Sequence, residues 1–508
     1  MRRRACDILV LGAGFAGSLI AVIARRLGLE TVLIERDHHP RFAIGESSTP
    51  LANFKLQALA RAYDLQWLAP LAKYGAWKKA QPEMTCGLKR GFSFFHHQRG
   101  RAFRPAPDHS NELMVTASPS PELGDTHWFR AEFDAFLVGR AEAAGVHYID
   151  TCDVSAIERK GAWRVAGTTP AEAVEIDAAL IIDATGGGGA LSRALRIEPA
   201  TDALATSSRA IYGHFLNVSP WDESYEAAGG VIGDHPFPAD ASALHHVFEG
   251  GWMWQLRFDN GVTSAGLSLD PARCPLDERL TPEEEWAAIL DRLPSIRRQF
   301  DRAAPVRPLV RTGRLQRRVA RAVGADWILL PHAAAFVDPW LSSGVALTLY
   351  GVERAARIMA DFAPAISARA IEDNDPLRRR LAAYERSLFR EVALMDRVSS
   401  AGLARFDSFA VVAATTMVYF AAATYAEERF RRGEGGADDE FLLAHDERFR
   451  AMAHGVCDRA LSVSPVATET FAEDVARAIE PYNRVGLCDV AARNMYAYRE
   501  ATRPSDGS

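Results

Sequence analysis

The sequence predicts a mixed α/β fold, with a parallel-sheet domain at the N-terminus, a strand-rich middle and a helical C-terminal region. Three observations support this fold class. A complete βαβ pattern occupies residues 7–35, short apolar runs of strand type recur at 178–183 and 327–330, and a charged, helix-type stretch extends from about 375 onward. Strand-type patterns fill the region between about 200 and 320.

Composition narrows the class of protein further. The chain has 508 residues, 48% of them hydrophobic and 24% charged, with a formal net charge of −6. These values exclude a disordered chain, a collagen-like fibre and a disulfide-dense miniprotein, and the negative charge gives no support to a nucleic-acid partner. Six scattered cysteines form no CxxC pair, so we expect reduced thiols, no metal site and a cytoplasmic location.

Two apolar segments could be mistaken for targeting or membrane elements. The run at residues 8–11 is too short for a signal peptide. The run at residues 409–425 contains three threonines and is shorter than the ~20 residues that a membrane span requires. We therefore expect no signal peptide and no membrane partner, and we predict a buried helix at 409–425.

The βαβ pattern has the form of a dinucleotide-binding unit. A strand at 7–11 leads into the hexapeptide GAGFAG at 12–17, a helix follows, and a second strand at 31–34 ends at Glu35. This acid comes 18 positions after the third glycine, near the spacing typical of such units. The strand, the helix and the acid all occur in place, so the pattern is more specific than the glycines alone.

Each glycine of the hexapeptide has a physical reason. Gly12 permits a tight turn, Gly14 lets the backbone approach a pyrophosphate, and Gly17 lets the helix pack against the strand. The start of the helix offers free N–H groups and a positive dipole end to phosphates. Glu35 is expected to accept hydrogen bonds from the hydroxyls of an adenosine ribose.

Three further segments resemble those of the flavin-dependent halogenases. RFAIGESSTP at 41–50 follows the βαβ unit as it does in that family, and TCGLKRGFSF at 85–94 resembles the segment with their reactive lysine. FVDP at 336–339 with SSGV at 342–345 resembles their flavin- and halide-binding turn. The matches run from residue 7 to about 350, and the likeness is greatest to the branch that halogenates free phenols.

The resemblance implies a Rossmann-like FAD-binding domain of the GR2 type shared by flavin monooxygenases and halogenases. We assign residues 1–200 and 320–370 to this discontinuous domain, including the lysine-bearing segment 85–97. Residues 200–320 are assigned to a β-rich substrate-binding region, and residues 371–508 to a helical C-terminal region.

The resemblance also implies a reaction. FAD reduced by a separate flavin reductase would react with oxygen and with chloride or bromide to give hypohalous acid. An internal tunnel would deliver this acid to Lys89, which would hydrogen-bond it or form a haloamine. A phenol-like aromatic, free or tethered to a carrier protein, would then take up the halogen by electrophilic substitution.

The implied site residues fall into three further groups. Ser343 and Gly344 are the implied halide-binding residues, and Trp252, Trp254 and Phe94 are implied in the substrate site or tunnel. The fingerprint and the resemblance together predict these cofactor contacts: Gly12, Gly14, Phe15, Ala16, Gly17, Glu35, Arg36, Gly45, Glu46, Ser47, Ser48, Arg130 and Asp338.

Some of these residues also have plainer interpretations. Lys89 could be an ordinary surface lysine, since most lysines are exposed. Arg130 could form a surface salt bridge, and Asp338 could cap a helix before Pro339. If residues 89–94 form one continuous strand, Lys89 shares a face with small neighbours and Phe92 lies on the other face.

Three departures from the halogenase pattern bear on the activity. The family signature Trp-x-Trp-x-Ile-Pro is represented by WMWQLR at 252–257, with Leu256 and Arg257 in the last two places. Leu341 stands where tryptophan halogenases have a glutamate that steadies the ring, which favours a phenol over an indole. The late flavin turn reads PHAA at 331–334 instead of Gly-Asp-Ala-Ala.

Two alternative functions stay open at this point. A flavin-dependent aromatic hydroxylase would need the ring beside the flavin, and the altered 256–257 pair is compatible with it. A flavin-binding partner subunit without catalysis is a different class of protein, and the retention of Lys89 argues against it.

Overall fold

Two large β-sheets and a C-terminal group of helices make up the chain in a computed structural model that describes residues 2–371, 373–436 and 439–501. Within these ranges, the strands are β1 Arg2–Leu11, β2 Thr31–Ile34, β3 Cys86–Lys89, β4 Gly91–His97, β5 Glu112–Thr116, β6 Asp125–Trp128, β7 His147–Ile149, β8 Asp153–Lys160, β9 Ala162–Thr168, β10 Ala173–Asp183, β11 Arg209–Leu216, β12 Ala243–Phe248, β13 Gly251–Arg257, β14 Thr263–Leu269, β15 Ala304–Pro305, β16 Val310–Arg314, β17 Arg317–Arg318, β18 Trp327–Leu329, β19 Ala335–Phe336 and β20 Met495–Tyr496. The helices are α1 Phe15–Arg26, α2 Pro50–Ala62, α3 Tyr74–Ala80, α4 Arg130–Ala143, α5 Ala190–Ala194, α6 Trp221–Ala227, α7 Pro282–Leu290, α8 Pro294–Gln299, α9 Pro331–Ala334, α10 Ser343–Ser367, α11 Asp375–Leu403, α12 Phe409–Arg431, α13 Glu447–Ser462 and α14 Thr468–Ile479.

The first sheet contains the βαβ unit and confirms the predicted α/β class. Its seven strands run β7-β2-β1-β10-β9-β8, with β18 paired to β10. β1 is parallel to both β2 and β10, and every residue of β2 is buried, which explains its apolar sequence. β1 begins five residues earlier than the predicted strand, because its polar start pairs with β10 and Arg3 forms ion pairs with Glu175 and Asp177 there.

The second sheet draws on more of the chain than the sequence assignment gave it. Nine strands include β11 to β14 from the middle region, but also β4, which pairs in parallel with β12. Within the lysine-bearing segment 85–97, β3 pairs with β6, and β4 belongs to the second sheet. Strand propensity identified these residues as extended, but only long-range pairing decides which sheet an extended segment joins.

The C-terminal region is mostly helical and returns to the second sheet at its end, where β20 pairs in parallel with β5. α12 is long and apolar enough to cross a membrane by length and composition, but 78% of its most apolar window is buried within the protein. This burial confirms the predicted buried helix. Packing of α12 against α11 and α14 gives its apolar residues a protein environment.

Candidate active site

A cavity of about 660 Å³ lies where α1, the segment after β2, the second sheet and the start of α10 meet. Its volume is within the range of sites that enclose a large ligand. Of the residues predicted from the sequence, the cavity is lined by Gly14, Phe15, Ala16, Gly45, Glu46, Ser47, Arg130, Trp252, Trp254, Asp338 and Gly344. The predicted residues Gly12, Gly17, Glu35, Arg36, Ser48, Lys89, Phe94 and Ser343 lie outside its lining.

Gly12 and Gly17 are needed for the turn itself. Gly12 has φ +94°, and a Cβ there would approach the Ala184 backbone oxygen to 2.8 Å. A Cβ at Gly17 would lie only 1.9 Å from the Gly12 backbone oxygen, so α1 can pack against β1 only with glycine at this position. Gly14, by contrast, faces the cavity and meets no backbone atom within 3.4 Å.

The cavity end at α1 is suited to an anion. The first turn of α1 has no acidic residue, so its free N–H groups and dipole are unopposed. Four arginines, Arg41, Arg130, Arg314 and Arg317, line the same cavity. Of these, Arg41 and Arg130 lie next to Gly14, and their positive charge suits the pyrophosphate of a dinucleotide.

Glu35 occupies the predicted place after β2 but is engaged by the protein. Its Oε2 accepts hydrogen bonds from the Ala13 backbone N–H at 2.8 Å and from Arg41 at 3.1 Å. Arg36 points away from the site, with a largely exposed side chain paired to Asp37. Glu35 therefore fixes the glycine turn and Arg41, while Arg36 is not brought to the cavity.

Arg130 forms a buried ion pair instead of the surface salt bridge considered from the sequence. Its Nε and Nη2 donate to Asp134 at 2.8 and 2.7 Å, and its Nη1 donates to the backbone oxygens of Ile44 and Gly45. Arg130 thus holds the 44–45 backbone against the cavity. One side chain both positions this loop and presents positive charge to a ligand.

Asp338 is buried at the opposite side of the cavity. Its Oδ2 accepts from the hydroxyls of Ser208 (2.6 Å) and Ser268 (3.0 Å), and its Oδ1 accepts from the Trp340 backbone N–H at 3.0 Å. Burial raises the pKa of Asp338, while these hydrogen bonds act in the other direction. The bond to Trp340 gives Asp338 the turn-capping role considered from the sequence, alongside its place in the cavity wall.

The turn before α10 has an unusual backbone. Leu341 and Ser342 both have left-handed φ angles, 64° and 52°, although neither is glycine. Such residues cost about 1–3 kcal/mol each and cluster at functional sites. They turn the chain so that Ser342 and Gly344 line the cavity at the start of α10, whereas Ser343 is buried outside it.

The altered Trp-x-Trp segment forms one wall of the cavity. Trp252, Trp254 and Leu256 alternate along β13, so all three face the cavity, and Leu256 fills the place of the family isoleucine. Arg257 forms an ion pair with Asp240 and donates to the backbone oxygens of Val218 and Ser219, between β11 and α6. The change at 257 is therefore absorbed by a structural contact outside the cavity.

An aromatic layer lies behind this wall. Phe94 stacks on His245 with ring centroids 4.4 Å apart, and both rings contact Trp340. His245 lines the cavity, and burial lowers its pKa to about 3, so it is a neutral ring there. Phe94 supports the layer from behind and does not itself line the cavity.

Lys89 is fully buried and is linked to the cavity through the 47–48 segment. Its Nζ donates to the Ser47 hydroxyl at 2.9 Å and to the Ser48 backbone oxygen at 2.8 Å, and Ser47 lines the cavity. Burial lowers the pKa of Lys89 to about 7, although nearby Asp125 acts to raise it. The surface-lysine interpretation is therefore wrong, and a neutral amine is accessible near pH 7.

The predicted arrangement of side chains around Lys89 is also wrong. β3 ends at Lys89 and β4 begins at Gly91, so residues 89–94 do not form one continuous strand. The alternation of side chains along β4 therefore does not extend back to Lys89. The Lys89 ammonium lies 4.0 Å from the centre of the Phe92 ring. Phe92 lines a second, narrow cavity together with Thr49, Tyr419 and Phe420.

Replacement of Lys89 by methionine is expected to stabilise the fold near neutral pH. The pKa of Lys89 falls from 10.5 to about 7 on burial, so the unfolded chain binds its proton more tightly than the folded protein does. Stability consequently rises with pH between about 7 and 10.5 in the wild type, and this penalty is absent from Lys89→Met. At about 1.4 kcal/mol per pKa unit, the gain at pH 7 is of the order of a few kcal/mol, less the lost hydrogen bonds.

Thermal unfolding at several pH values checks this expectation. Lys89→Met should have the higher Tm at pH 7, and the difference should shrink towards pH 10. The exposed lysine Lys79 provides the control, since Lys79→Met should follow the wild type at every pH. A lower Tm for Lys89→Met at pH 7 would contradict the expected penalty.

Several residues of the site were missed by sequence reasoning. His214 bonds to Glu46 through Nε2 at 2.8 Å, His332 lies against Gly344, and Arg41 and Arg317 line the cavity. Single histidines and arginines have no spacing pattern that separates them from surface residues. Only the position of His332 within PHAA, at the late flavin turn of the family, offered a signal.

The fold and the cavity define a class of flavoprotein. The sequence profile of the FAD dependent oxidoreductase family matches residues 7–314, and the chain therefore belongs to this family. FAD is thus the cofactor for the dinucleotide site. It supplies redox chemistry with oxygen when bound, and the glycine turn, Arg41 and Arg130 are the residues placed to hold its pyrophosphate.

Particular relatives confirm the resemblance to flavin-dependent halogenases. The chain is 32% identical over 352 residues to tetracycline 7-halogenase of Kitasatospora aureofaciens, covering 68% of this chain and 61% of the relative. It is 31% identical over 392 residues to monodechloroaminopyrrolnitrin halogenase PrnC of Pseudomonas fluorescens, covering 75% and 64%. The chain thus spans somewhat less than two thirds of the length of both relatives.

A solved structure shows the same fold over nearly the whole chain. The crystal structure of halogenase PltM in complex with phloroglucinol and FAD matches with a TM-score of 0.84 at 24% identity. The match covers 96% of this chain and 99% of PltM, so it includes the C-terminal helices as well as both sheets.

Proposed function

We propose that the protein is an FAD-dependent halogenase in which Lys89 delivers hypohalous acid to an electron-rich aromatic ring. One observation carries this proposal above the others. Lys89 is buried and contacts one wall residue of each cavity: its Nζ donates a hydrogen bond to Ser47 of the large cavity and lies over the ring of Phe92 of the second. Among the described residues, no carboxylate forms an ion pair with the Lys89 ammonium, and Asp125 acts on it only as a nearby charge.

The roles of the chain's own groups follow from their places. The glycine turn and Arg130 bind and orient the cofactor, and the aromatic wall around Trp252 limits access of water to the large cavity. Gly344 at the start of α10 offers its backbone N–H to a halide. Lys89 donates a proton to the oxygen of hypohalous acid as the halogen leaves, or attacks the halogen as a neutral amine to give a haloamine.

The proposed substrate is a phenol or a similarly activated ring. The second cavity is lined mainly by apolar and aromatic side chains, including Leu51, Phe92 and Phe420. Leu341, which stands in place of the glutamate of tryptophan halogenases, is buried, so the turn offers no carboxylate to an indole. The phloroglucinol complex of PltM supports the same class, and a carrier-tethered ring remains within the proposal.

Hydroxylation at the flavin is the second candidate, and the separation of the cavities disfavours it. A hydroxylase needs its ring beside the flavin, whereas here His245 and Trp252 pack against each other in the wall of the large cavity and Phe94 stacks on His245 behind them. Arg257, which stands in place of the proline of the halogenase signature and kept this alternative open, lies outside the large cavity.

The proposal includes the partners of such an enzyme. A separate flavin reductase would supply reduced FAD, because the chain contains one dinucleotide fingerprint. The six free cysteines are compatible with a cytoplasmic setting.

A halogenation assay tests the proposal directly. The protein, FAD, a flavin reductase, NADH, oxygen and bromide should convert phloroglucinol to a brominated product with the isotope doublet of bromine in its mass spectrum. Omitting bromide should abolish that product, and omitting the reductase should leave NADH unconsumed. A hydroxylated product formed without halide would favour the second candidate instead.

A further inference from the structure

The second cavity contains one carboxylate that the proposed mechanism has not used. Glu427, on α12, lines this cavity and is 8% exposed. Phe420, Ala423 and Thr424 line it too, and their spacing of three, four and seven residues from Glu427 places all four on one face of the helix. The carboxylate thus belongs to the cavity wall rather than to the helix surface.

Glu427 has hydrogen-bonding capacity left for a ligand. Within the described residues, its hydrogen-bonding partner is Arg431, one turn later on α12, which donates to Oε1. The hydroxyls of Thr116 and Thr424, which also line the cavity, donate to backbone oxygens. A ligand hydroxyl in this cavity therefore finds its strongest acceptor at Glu427.

The charges around Glu427 set its protonation. Burial raises the pKa of Glu427 to about 7, Asp125 adds to this increase, and Arg431 and Lys73 oppose it. Arg499 lines the same cavity and pairs with Asp489. The carboxyl is consequently able to take up and return a proton near neutral pH, as a general base requires.

We propose that Glu427 is the general base that accepts the ring-hydroxyl proton of the phenol during halogenation. This inference rests on the proposed function and names the group that activates its substrate. The second cavity measures about 40 Å³ in this structure, so a ring enters it by displacing wall side chains, and Phe92, which the Lys89 ammonium overlies, and Glu427 both belong to that wall. Tryptophan halogenases have a glutamate at the position of Leu341. In this chain Glu427 on α12 would take over the function of that glutamate.

The steps balance as follows. The hydroxyl proton moves to Glu427, and the electron pair it leaves behind enriches the ring. A ring carbon then bonds to the halogen of hypohalous acid as the halogen–oxygen bond breaks, and the departing hydroxide takes a proton from Lys89 to give water. The proton on the halogenated carbon returns to the Lys89 amine, and Glu427 returns its proton to the phenol oxygen.

Glu427→Gln tests this inference, because glutamine keeps the size and removes the base. With phloroglucinol as the probe, kcat/KM for halogenation should fall by about 10²-fold or more, while flavin reoxidation stays near the wild-type rate. The wild-type rate should decline below about pH 7 as Glu427 becomes protonated, and this acidic limb should be absent from the variant. Glu428→Gln is the matched control, since Glu428 pairs with Arg432 and Arg484 outside the cavity.

A binding measurement separates this inference from the proposed function. Calorimetric titration of phloroglucinol into the oxidised protein at pH 8 should show affinity about ten-fold or more weaker in Glu427→Gln. If Glu427→Gln binds phloroglucinol and turns it over as well as the wild type does, the role of Glu427 is overturned and the proposed function is not affected. Absence of any halogenated product from a wild type that binds phloroglucinol would overturn the proposed function, which is a different result.

Discussion

Lys89→Ala should abolish halogenation while leaving the flavin chemistry intact. Lys89 lies outside the large cavity and is hydrogen-bonded to its wall through Ser47, so FAD affinity and flavin reoxidation should stay near wild type. Loss of one oriented catalytic donor typically costs about 10²–10³ in rate, and product formation should fall by at least this factor. Both are measured in one reaction, flavin by absorbance and halogenated phloroglucinol by mass spectrometry.

Two further variants test whether the effect is specific to the Lys89 amine. Lys89→Arg should fail as well, because a guanidinium stays protonated and cannot form a haloamine. Lys79→Ala, at an exposed position of α3, should retain wild-type activity. If Lys89→Ala keeps more than about a tenth of wild-type product formation, Lys89 is a bystander and hydroxylation becomes the leading function.

Gly14→Val should greatly weaken FAD binding and leave the fold in place. The Cβ at residue 14 would meet no backbone atom closely, but it would point towards the guanidinium groups of Arg130 (3.4 Å) and Arg41 (3.6 Å). The valine methyl groups would occupy the space in which a pyrophosphate must reach these donors. Losing one or two charge-assisted hydrogen bonds of about 1.5–3 kcal/mol each corresponds to at least about a 10-fold loss of affinity.

Flavin fluorescence titration measures the FAD affinity of Gly14→Val, and circular dichroism shows whether its fold is retained. Gly139→Ala is the control, because Gly139 is exposed on α4 and a Cβ there meets nothing within 4 Å. That variant should bind FAD normally and be as stable as the wild type or slightly more so. Unchanged FAD affinity in Gly14→Val would mean that the cofactor binds elsewhere.

Local patterns predicted the parts of the fold that depend on short-range physics. The strands at 7–11 and 31–34 and the helix between them are set by burial periodicity and by the backbone needs of Gly12 and Gly17. The buried helix α12 followed from its length and threonine content. Sheet membership did not follow, because β4 looks the same in sequence whether it pairs with the first sheet or with β12.

The residues of the candidate site likewise fall into those that local motifs predict and those that they do not. The glycine turn, Glu46, Ser47 and Asp338 belong to contiguous motifs, and the structure gathers most of them around one cavity. His245 and Arg317 come from unrelated segments and have no motif. Arg36 follows Glu35 directly, yet its side chain is largely exposed and paired with Asp37.

By itself, the sequence determined the FAD family, the βαβ unit and the identity of Lys89 as the residue to examine, because these depend on motifs of adjacent residues. Only the tertiary structure decided that Lys89 is buried with a lowered pKa, that Arg257 is harmless to the cavity, and that Glu427 faces the second cavity. The physical reason is that burial, and the pKa shifts that follow from it, depend on segments far apart in the chain. Glu427 and Phe92 are more than 300 residues apart, and no local pattern records that they line one cavity.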